Sequence, residues 1–299
     1  MPEIEGVVPI IPIPFHADGS IDEPSLRRVI DYCVAERAAA VCLPAYGSEF
    51  YKLTDPERLR VVRVAVEQSG GRVPVIGQAN HPSAAVALDL AWAMEDVGAD
   101  VISMAAPRVF AMGEEDLLRY FRTICNGIQG PLLIQDFNPG GPTVGASFAG
   151  RLHAECPNFR YLKLEDPFMA PRVRAILEAT NGEVGVLEGW GGMYTLELIK
   201  SGICGVMPGT ATLAPLNRVY WNCKRGQDAE AYAAFQSILP LIVFELQHME
   251  LFLHVEKRIL QALGLLETTH VREATIQLDP DTDQHADWLI QQILPLLRS

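Results

Sequence analysis

The sequence predicts an α/β protein, a (β/α)8 TIM barrel with a C-terminal helical extension, and three observations carry that prediction. Eight apolar runs recur along the chain, at 6–12, 40–44, 73–78, 101–105, 132–136, 161–165, 184–188 and 205–208. They are mostly continuous rather than alternating, as parallel strands covered on both faces are. Helical periodicity fills the intervals, and eight such units over roughly 220 residues match the count and length of a barrel. The competing architecture, a doubly wound sheet, lacks its usual nucleotide signal, because no Gly-x-Gly-x-x-Gly follows the first run.

Each connecting helix has a start signal or a period. Asp22 precedes a helical stretch at 24–36, Thr54 precedes one at 56–68, and further stretches cover 83–97 and 114–125. Beyond Pro215 the pattern is helical throughout, at 216–224, 228–246, 251–263 and 286–297. Residues 1–223 are therefore expected to form the barrel that carries the active site, and residues 224–299 a helical extension packed on it. No linker, low-complexity tract or short repeat interrupts the chain.

Composition narrows the function. The chain has 299 residues, 49% hydrophobic and 20% charged, which is globular with ample length for a large core. A formal net charge of −13 argues against nucleic acid and anionic membranes as partners, so an anionic ligand must be held by local donors. The six cysteines (Cys33, Cys42, Cys125, Cys156, Cys204, Cys223) form no Cys-x-x-Cys pair and no metal spacing, as reduced core thiols do. Met1-Pro2-Glu3-Ile4-Glu5-Gly6 is unlike a signal peptide, and no apolar run approaches the roughly 18 residues of a membrane span. A cytoplasmic protein is expected. Motifs for a metal or a cofactor are absent; His248 and His254, six apart, are poorly spaced as ligands.

The chain has five lysines, Lys52, Lys163, Lys200, Lys224 and Lys257, and Lys163 alone falls on a strand-like run, Phe159-Arg160-Tyr161-Leu162-Lys163-Leu164-Glu165-Asp166-Pro167. The others lie in stretches that read as helical or exposed. A lysine on a core strand is destabilising unless it is paired or gives up its proton, and a neutral amine there is a candidate Schiff-base nucleophile toward a ketone. Strand alternation sends Lys163 and Glu165 to one face, roughly 6–7 Å apart at Cα. That pair suits imine formation with proton abstraction beside it, but it also suits a buried structural ion pair, or a strand-end lysine that reaches solvent.

Catalytic groups in such barrels gather at the C-terminal ends of the strands. Those positions hold Tyr46-Gly47-Ser48-Glu49, Gln78, Asn80, Arg108, Gln135-Asp136-Phe137-Asn138, Glu188-Gly189-Trp190-Gly191-Gly192 and Met207-Pro208-Gly209-Thr210. Tyr46, Gly47 and Ser48 offer hydroxyls and open amides suited to a carboxylate. Asp136, Gly189 and Met207 complete the candidate substrate-binding set.

Ile13-Pro14-Phe15 with Asp18-Gly19-Ser20-Ile21-Asp22, Ser48-Glu49 with Leu53-Thr54-x-x-Glu57-Arg58, Gly98-Ala99-Asp100, Pro107, the Lys163 strand and Gly205-Val206-Met207 together resemble the dihydrodipicolinate synthase/N-acetylneuraminate lyase superfamily. The resemblance runs through the whole chain. Three departures stand out. The superfamily's Gly-Thr-Thr-Gly-Glu loop reads Ala45-Tyr46-Gly47-Ser48-Glu49. Its Tyr-Asn-x-Pro loop reads Asp136-Phe137-Asn138-Pro139, which puts Asp136 at the relay tyrosine. Its subunit-crossing Pro-Tyr-Tyr reads Pro107-Arg108-Val109.

With the relay hydroxyls gone, the synthase activity is not expected. The Lys-x-Glu strand and the Ala-x-x-Ser-Glu loop resemble the branch that dehydrates 2-keto-3-deoxy sugar acids, notably 2-keto-3-deoxyarabonate. That resemblance implies Lys163 as the imine-forming residue, Glu165 as acid/base, a small 2-keto acid as substrate, no cofactor or metal, and a homotetramer. Two alternatives stay open: a retro-aldolase that cleaves a 4-hydroxy-2-keto acid to pyruvate and an aldehyde, and a non-catalytic sugar-acid-binding regulator.

Overall fold

A computed structural model describes residues 3–138, 141 and 143–297. Pro139, at the end of the Asp136-Phe137-Asn138-Pro139 loop, lies outside the described residues, as do Met1 and Pro2 of the amino-terminal segment. Among the described residues there are eight strands: β1 (Gly6–Val7), β2 (Val41–Leu43), β3 (Val75–Gln78), β4 (Val101–Ala105), β5 (Leu132–Phe137), β6 (Phe159–Glu165), β7 (Gly185–Glu188) and β8 (Gly205–Val206). All pair in parallel, in the order β1-β8-β7-β6-β5-β4-β3-β2.

The barrel closes between the first and second strands around Ile10. Ile10 bridges both Cys42 and Gly209, and Ile11 N donates to the Cys42 carbonyl at 3.0 Å while Cys42 N donates to Pro9 O at 3.1 Å. The first apolar run covers 6–12, yet regular strand pairing lasts for only Gly6–Val7. Pro9 and Pro12 have no N–H to give a ladder, and Pro208 ends β8 for the same reason.

The crossovers are α1 (Glu23–Ala35), α2 (Asp55–Ser69), α3 (Ala84–Asp96), α4 (Glu114–Gly127), α5 (Ala146–Glu155), α6 (Met169–Ala179), α7 (Thr195–Ile199) and α8 (Leu213–Lys224), followed by α9 (Asp228–Glu245), α10 (Met249–Ala262) and α11 (Pro280–Leu297). Asp22 caps α1, its Oδ1 accepting from Ser25 N at 3.0 Å. Thr54 and Glu57 cap α2 reciprocally: Thr54 N donates to Glu57 Oε2 at 2.9 Å, and Glu57 N to Thr54 Oγ1 at 3.4 Å. Helix α11 starts six residues before its apolar period does. Its polar first turn shows no hydrophobic signal, but Asp279 accepts from Asp281 N and Thr282 N, both at 3.1 Å.

Strand parity sorts the side chains into two cores. Leu132, Ile134, Leu162 and Leu164 face the helices in the larger core, while Leu133 and Tyr161 face inward with Ile10, Cys42, Ile76 and Leu187. Along β5 and β6 the inward partners are Leu133 with Tyr161, Gln135 with Lys163, and Phe137 with Glu165. Apolar residues therefore plug the barrel's lower half, and the polar inward residues sit above them at the C-terminal mouth. No described helix is long and apolar enough to cross a membrane.

Candidate active site

The inward ladder of β5 and β6 builds the site. Lys163 Nζ lies 3.1 Å from Glu165 Oε1, with both side chains nearly buried. Gln135 Nε2 donates to the same carboxylate oxygen at 2.6 Å, and Gln78 Nε2 donates to Gln135 Oε1 at 2.7 Å. Two amides in series thus fix the orientation of Glu165. Burial raises its proton affinity above that of an ordinary glutamate, against the opposing pull of Lys163 and Gln135.

Above the pair opens a cavity of about 380 Å³. Tyr46, Gly47, Gln135, Phe137, Lys163, Glu165, Gly189, Trp190 and Met207 line it from the barrel side. Glu245, Leu246, Gln247, His248, Met249 and Phe252 line it from the turn between α9 and α10. Gly189 is required at its place: a Cβ there would sit 2.4 Å from Glu165 Cγ and 2.9 Å from Lys163 Cε. Gly47 likewise lies where a Cβ would fall 2.9 Å from the Phe252 ring.

The candidate residues divide accordingly. Lys163, Glu165, Tyr46, Gly47, Gly189 and Met207 converge on one cavity, and two do not join them. Asp136 points the other way, since β5 alternates between faces; it is fully buried, binds Arg108 Nη2 through Oδ1 at 2.6 Å and accepts from Val144 N. Phe137, one residue on, is the side chain that faces the cavity beside Glu165. Arg108 is held by Asp136 within its own chain. Ser48 lies outside the cavity lining, its hydroxyl buried without a hydrogen-bond partner. Asn80 serves the barrel wall, its Oδ1 accepting from Ala105 N at 2.6 Å.

The isolation of Lys163 also needs correction. Lys257 is completely buried, and the Lys52 side chain is 5% exposed. Both are paired. Lys257 Nζ bonds Glu49 Oε1, and Lys52 Nζ lies 3.2 Å from Glu49 Oε2 and 2.7 Å from Glu250 Oε2. Burial lowers Lys257 to about 8 despite the opposing charge of Glu49. Glu49 adopts a left-handed conformation (φ 58°) directly after the 3-10 turn Tyr46–Ser48, so this network ties that turn to α10. Lys163 is the buried lysine that opens onto the cavity.

Tyr46 packs its ring against Phe137 and Phe50, with centroids 5.0 and 5.1 Å apart. Burial raises the Tyr46 phenol, and the Glu165 charge adds to the effect, so the hydroxyl stays a hydrogen-bond donor. On β7, fully buried Glu188 accepts from Trp190 N at 3.1 Å and Gly192 N at 2.7 Å, which folds the loop that carries Gly189. Burial pushes Glu188 up to about 7. Among the described residues no group of three or more His, Cys, Asp or Glu side chains is arranged to hold a metal.

Sequence reasoning left Gln135, Phe137, Glu245, His248 and Phe252 unassigned. The first two were within reach of the alternation argument applied to Lys163 and Glu165. The last three depend on where the extension packs.

The chain belongs to the dihydrodipicolinate synthetase family, a family of lyases, whose model matches residues 3–293. Among its relatives, the L-2-keto-3-deoxyarabonate dehydratase of Azospirillum brasilense is 25% identical over 300 residues, which span 99% of this chain and 96% of the relative. The 4-hydroxy-tetrahydrodipicolinate synthase of Azoarcus sp. is 34% identical, but over only 54% of this chain and 55% of its own. The crystal structure of the dihydrodipicolinate synthase from Rhodopseudomonas palustris superposes with a TM-score of 0.91 at 25% identity, covering 98% of each chain.

Proposed function

We propose that this protein is a Schiff-base hydro-lyase that removes water from a 2-keto-3-deoxy sugar acid. The observation that carries the proposal is the Lys163–Glu165 pair, 3.1 Å apart on the inner barrel wall and open to the cavity. The full-length similarity to a 2-keto-3-deoxyarabonate dehydratase supports the same reaction class.

In this reading the Lys163 amine attacks the C2 ketone and water leaves, giving a protonated imine that acidifies C3. Glu165 takes the C3 proton, and the electron pair moves into an enamine. The enamine expels the C4 hydroxyl, which collects the proton from Glu165 and departs as water. Hydrolysis of the imine consumes a water in place of the one released when it formed and frees Lys163, so one water is eliminated overall. The raised proton affinity of buried Glu165 suits both halves of this exchange. The substrate carboxylate is placed against Tyr46 and the Gly47 backbone. Phe137, the β5 side chain that lines the cavity beside Glu165, carries no hydroxyl and offers no proton relay there.

The test is incubation with 2-keto-3-deoxypentonates and hexonates in the presence of chelator, with product identification by mass spectrometry. A product lighter by one water, and borohydride-trapped mass on Lys163, are the expected results. Pyruvate with a matching aldehyde would make the protein an aldolase instead. Absence of any trapped keto acid would leave it a binding protein. The proposal includes a cytoplasmic homotetramer, and a monomeric mass at micromolar concentration would refute that part.

A further inference from the structure

The imine chemistry leaves a set of polar groups at the helical end of the cavity without a task. Glu245, the last residue of α9, lines the cavity at 1% exposure, and its Oε2 has no hydrogen-bond partner. Glu256 of α10 lies behind it, fully buried, accepting from Ala211 N at 3.0 Å and with Oε1 also unpaired. Its carboxyl presses on cavity-lining Gly209, where a Cβ would meet it at 2.3 Å. Across the cavity wall the Trp190 indole N–H is likewise buried and unpartnered. His248 also lines the cavity; its Nδ1 accepts from Glu250 N at 3.1 Å, which leaves the ring proton on Nε2.

Buried polar groups normally find partners, because an unpaired one keeps its full desolvation penalty. Two of these residues, Glu245 and Trp190, line the same cavity, where a polar ligand can supply the missing partner. We propose that Glu245, with Trp190 and His248, forms a hydroxyl-binding subsite for the polyol end of the substrate. This rests on the reading above, in which Lys163 holds the substrate at C2.

The chemistry selects hydroxyls over charged groups. Burial raises both carboxyls, Glu256 to about 7, and the Glu256 charge raises Glu245 further, so the pair holds a proton more readily than ordinary glutamates do. A protonated acid and a carboxylate oxygen together donate and accept, which is what a hydroxyl needs. A second carboxylate on the substrate would meet two acids at this end, so aldonic-type acids with a neutral terminus are preferred over diacids.

The experiment compares the full-length parent with Glu245→Leu and Glu245→Gln. The readouts are borohydride trapping with pyruvate, which has no distal hydroxyl, and steady-state kinetics with a 2-keto-3-deoxypentonate and a 2-keto-3-deoxy diacid. Glu245→Leu is expected to trap pyruvate like the parent yet lose roughly 10–100-fold in kcat/KM on the pentonate, mostly in KM. Glu245→Gln, which keeps the shape and removes the acid, is expected to narrow the pentonate preference over the diacid by about tenfold or more. Unchanged pentonate kinetics in Glu245→Leu would overturn the subsite, as would a loss of pyruvate trapping that parallels the loss of turnover. If the leucine variant does not fold, an unchanged preference in Glu245→Gln overturns it alone. Failure of the parent to trap any 2-keto acid would instead refute the imine reading on which the subsite stands.

Discussion

Gly189→Ala gives a direct test of how tightly the proposed imine site is packed. The new Cβ would lie 2.4 Å from Glu165 Cγ and 2.9 Å from both Glu165 Oε1 and Lys163 Cε. Carbon atoms rest at about 3.5 Å or more, so Glu165 must retreat by about 1.1 Å and Lys163 by about 0.6 Å. Any retreat breaks their contacts, since Glu165 is held by Gln135 at 2.6 Å and by Lys163 at 3.1 Å. A misplacement of about 1 Å in reacting groups lowers turnover by roughly 100-fold, and overpacking of this kind destabilises by about 1–3 kcal/mol. The assay is kcat on the sugar acid, with borohydride trapping and a thermal melt on the same preparation. Gly145→Ala is the control, because nothing lies within 4 Å of a Cβ there. A Gly189→Ala enzyme with kcat within threefold of the parent and an unchanged melt would show that the site is looser than these distances require.

Three other perturbations probe separate parts of the structure. Glu165→Gln should keep imine trapping at Lys163 while kcat falls by roughly 10²–10⁴-fold; near-normal turnover would move the acid/base role to another group. Glu188, pushed up to about 7 in the fold against 4.5 as the ordinary value, stabilises the protein when protonated. Between those pH values the native state binds the extra proton, so its contribution of at most about 3 kcal/mol fades as pH rises toward 7. Glu188→Gln should flatten the fall in melting temperature between pH 5 and 7.5, and an identical slope would remove Glu188 as its source. Lys257→Met strands Glu49 in the core with Lys52 as its remaining lysine partner. A loss of about 3 kcal/mol in urea unfolding is expected, and a change under 0.5 kcal/mol would mean that the pair does not hold the loop.

The barrel was legible because each buried parallel strand leaves a continuous apolar run, and Lys163 was legible because it breaks one. Alternation along β6 put Lys163 and Glu165 on the same face, as the structure has them. The same rule on β5 sets Gln135 and Phe137, which line the cavity, apart from Asp136, which faces the other way. Lys257 read as a solvated helix charge because its partner, Glu49, lies 208 residues earlier. Nothing local in a sequence reports such a pairing. Glu245 and His248 were hidden for a related reason: periodicity shows that α9 and α10 are helices, but not which end of the barrel they cover.

Because the turn between α9 and α10 walls the cavity from outside the barrel, the Lys163–Glu165 pair and much of its enclosure sit on segments of the chain that mutate independently. Substitutions at Leu246, Gln247, Met249 or Phe252 reshape the room around a bound acid without touching the strand that holds Lys163. Descendants of such a protein can change diet while keeping their chemistry. A laboratory library restricted to residues 245–252 would retrace that route.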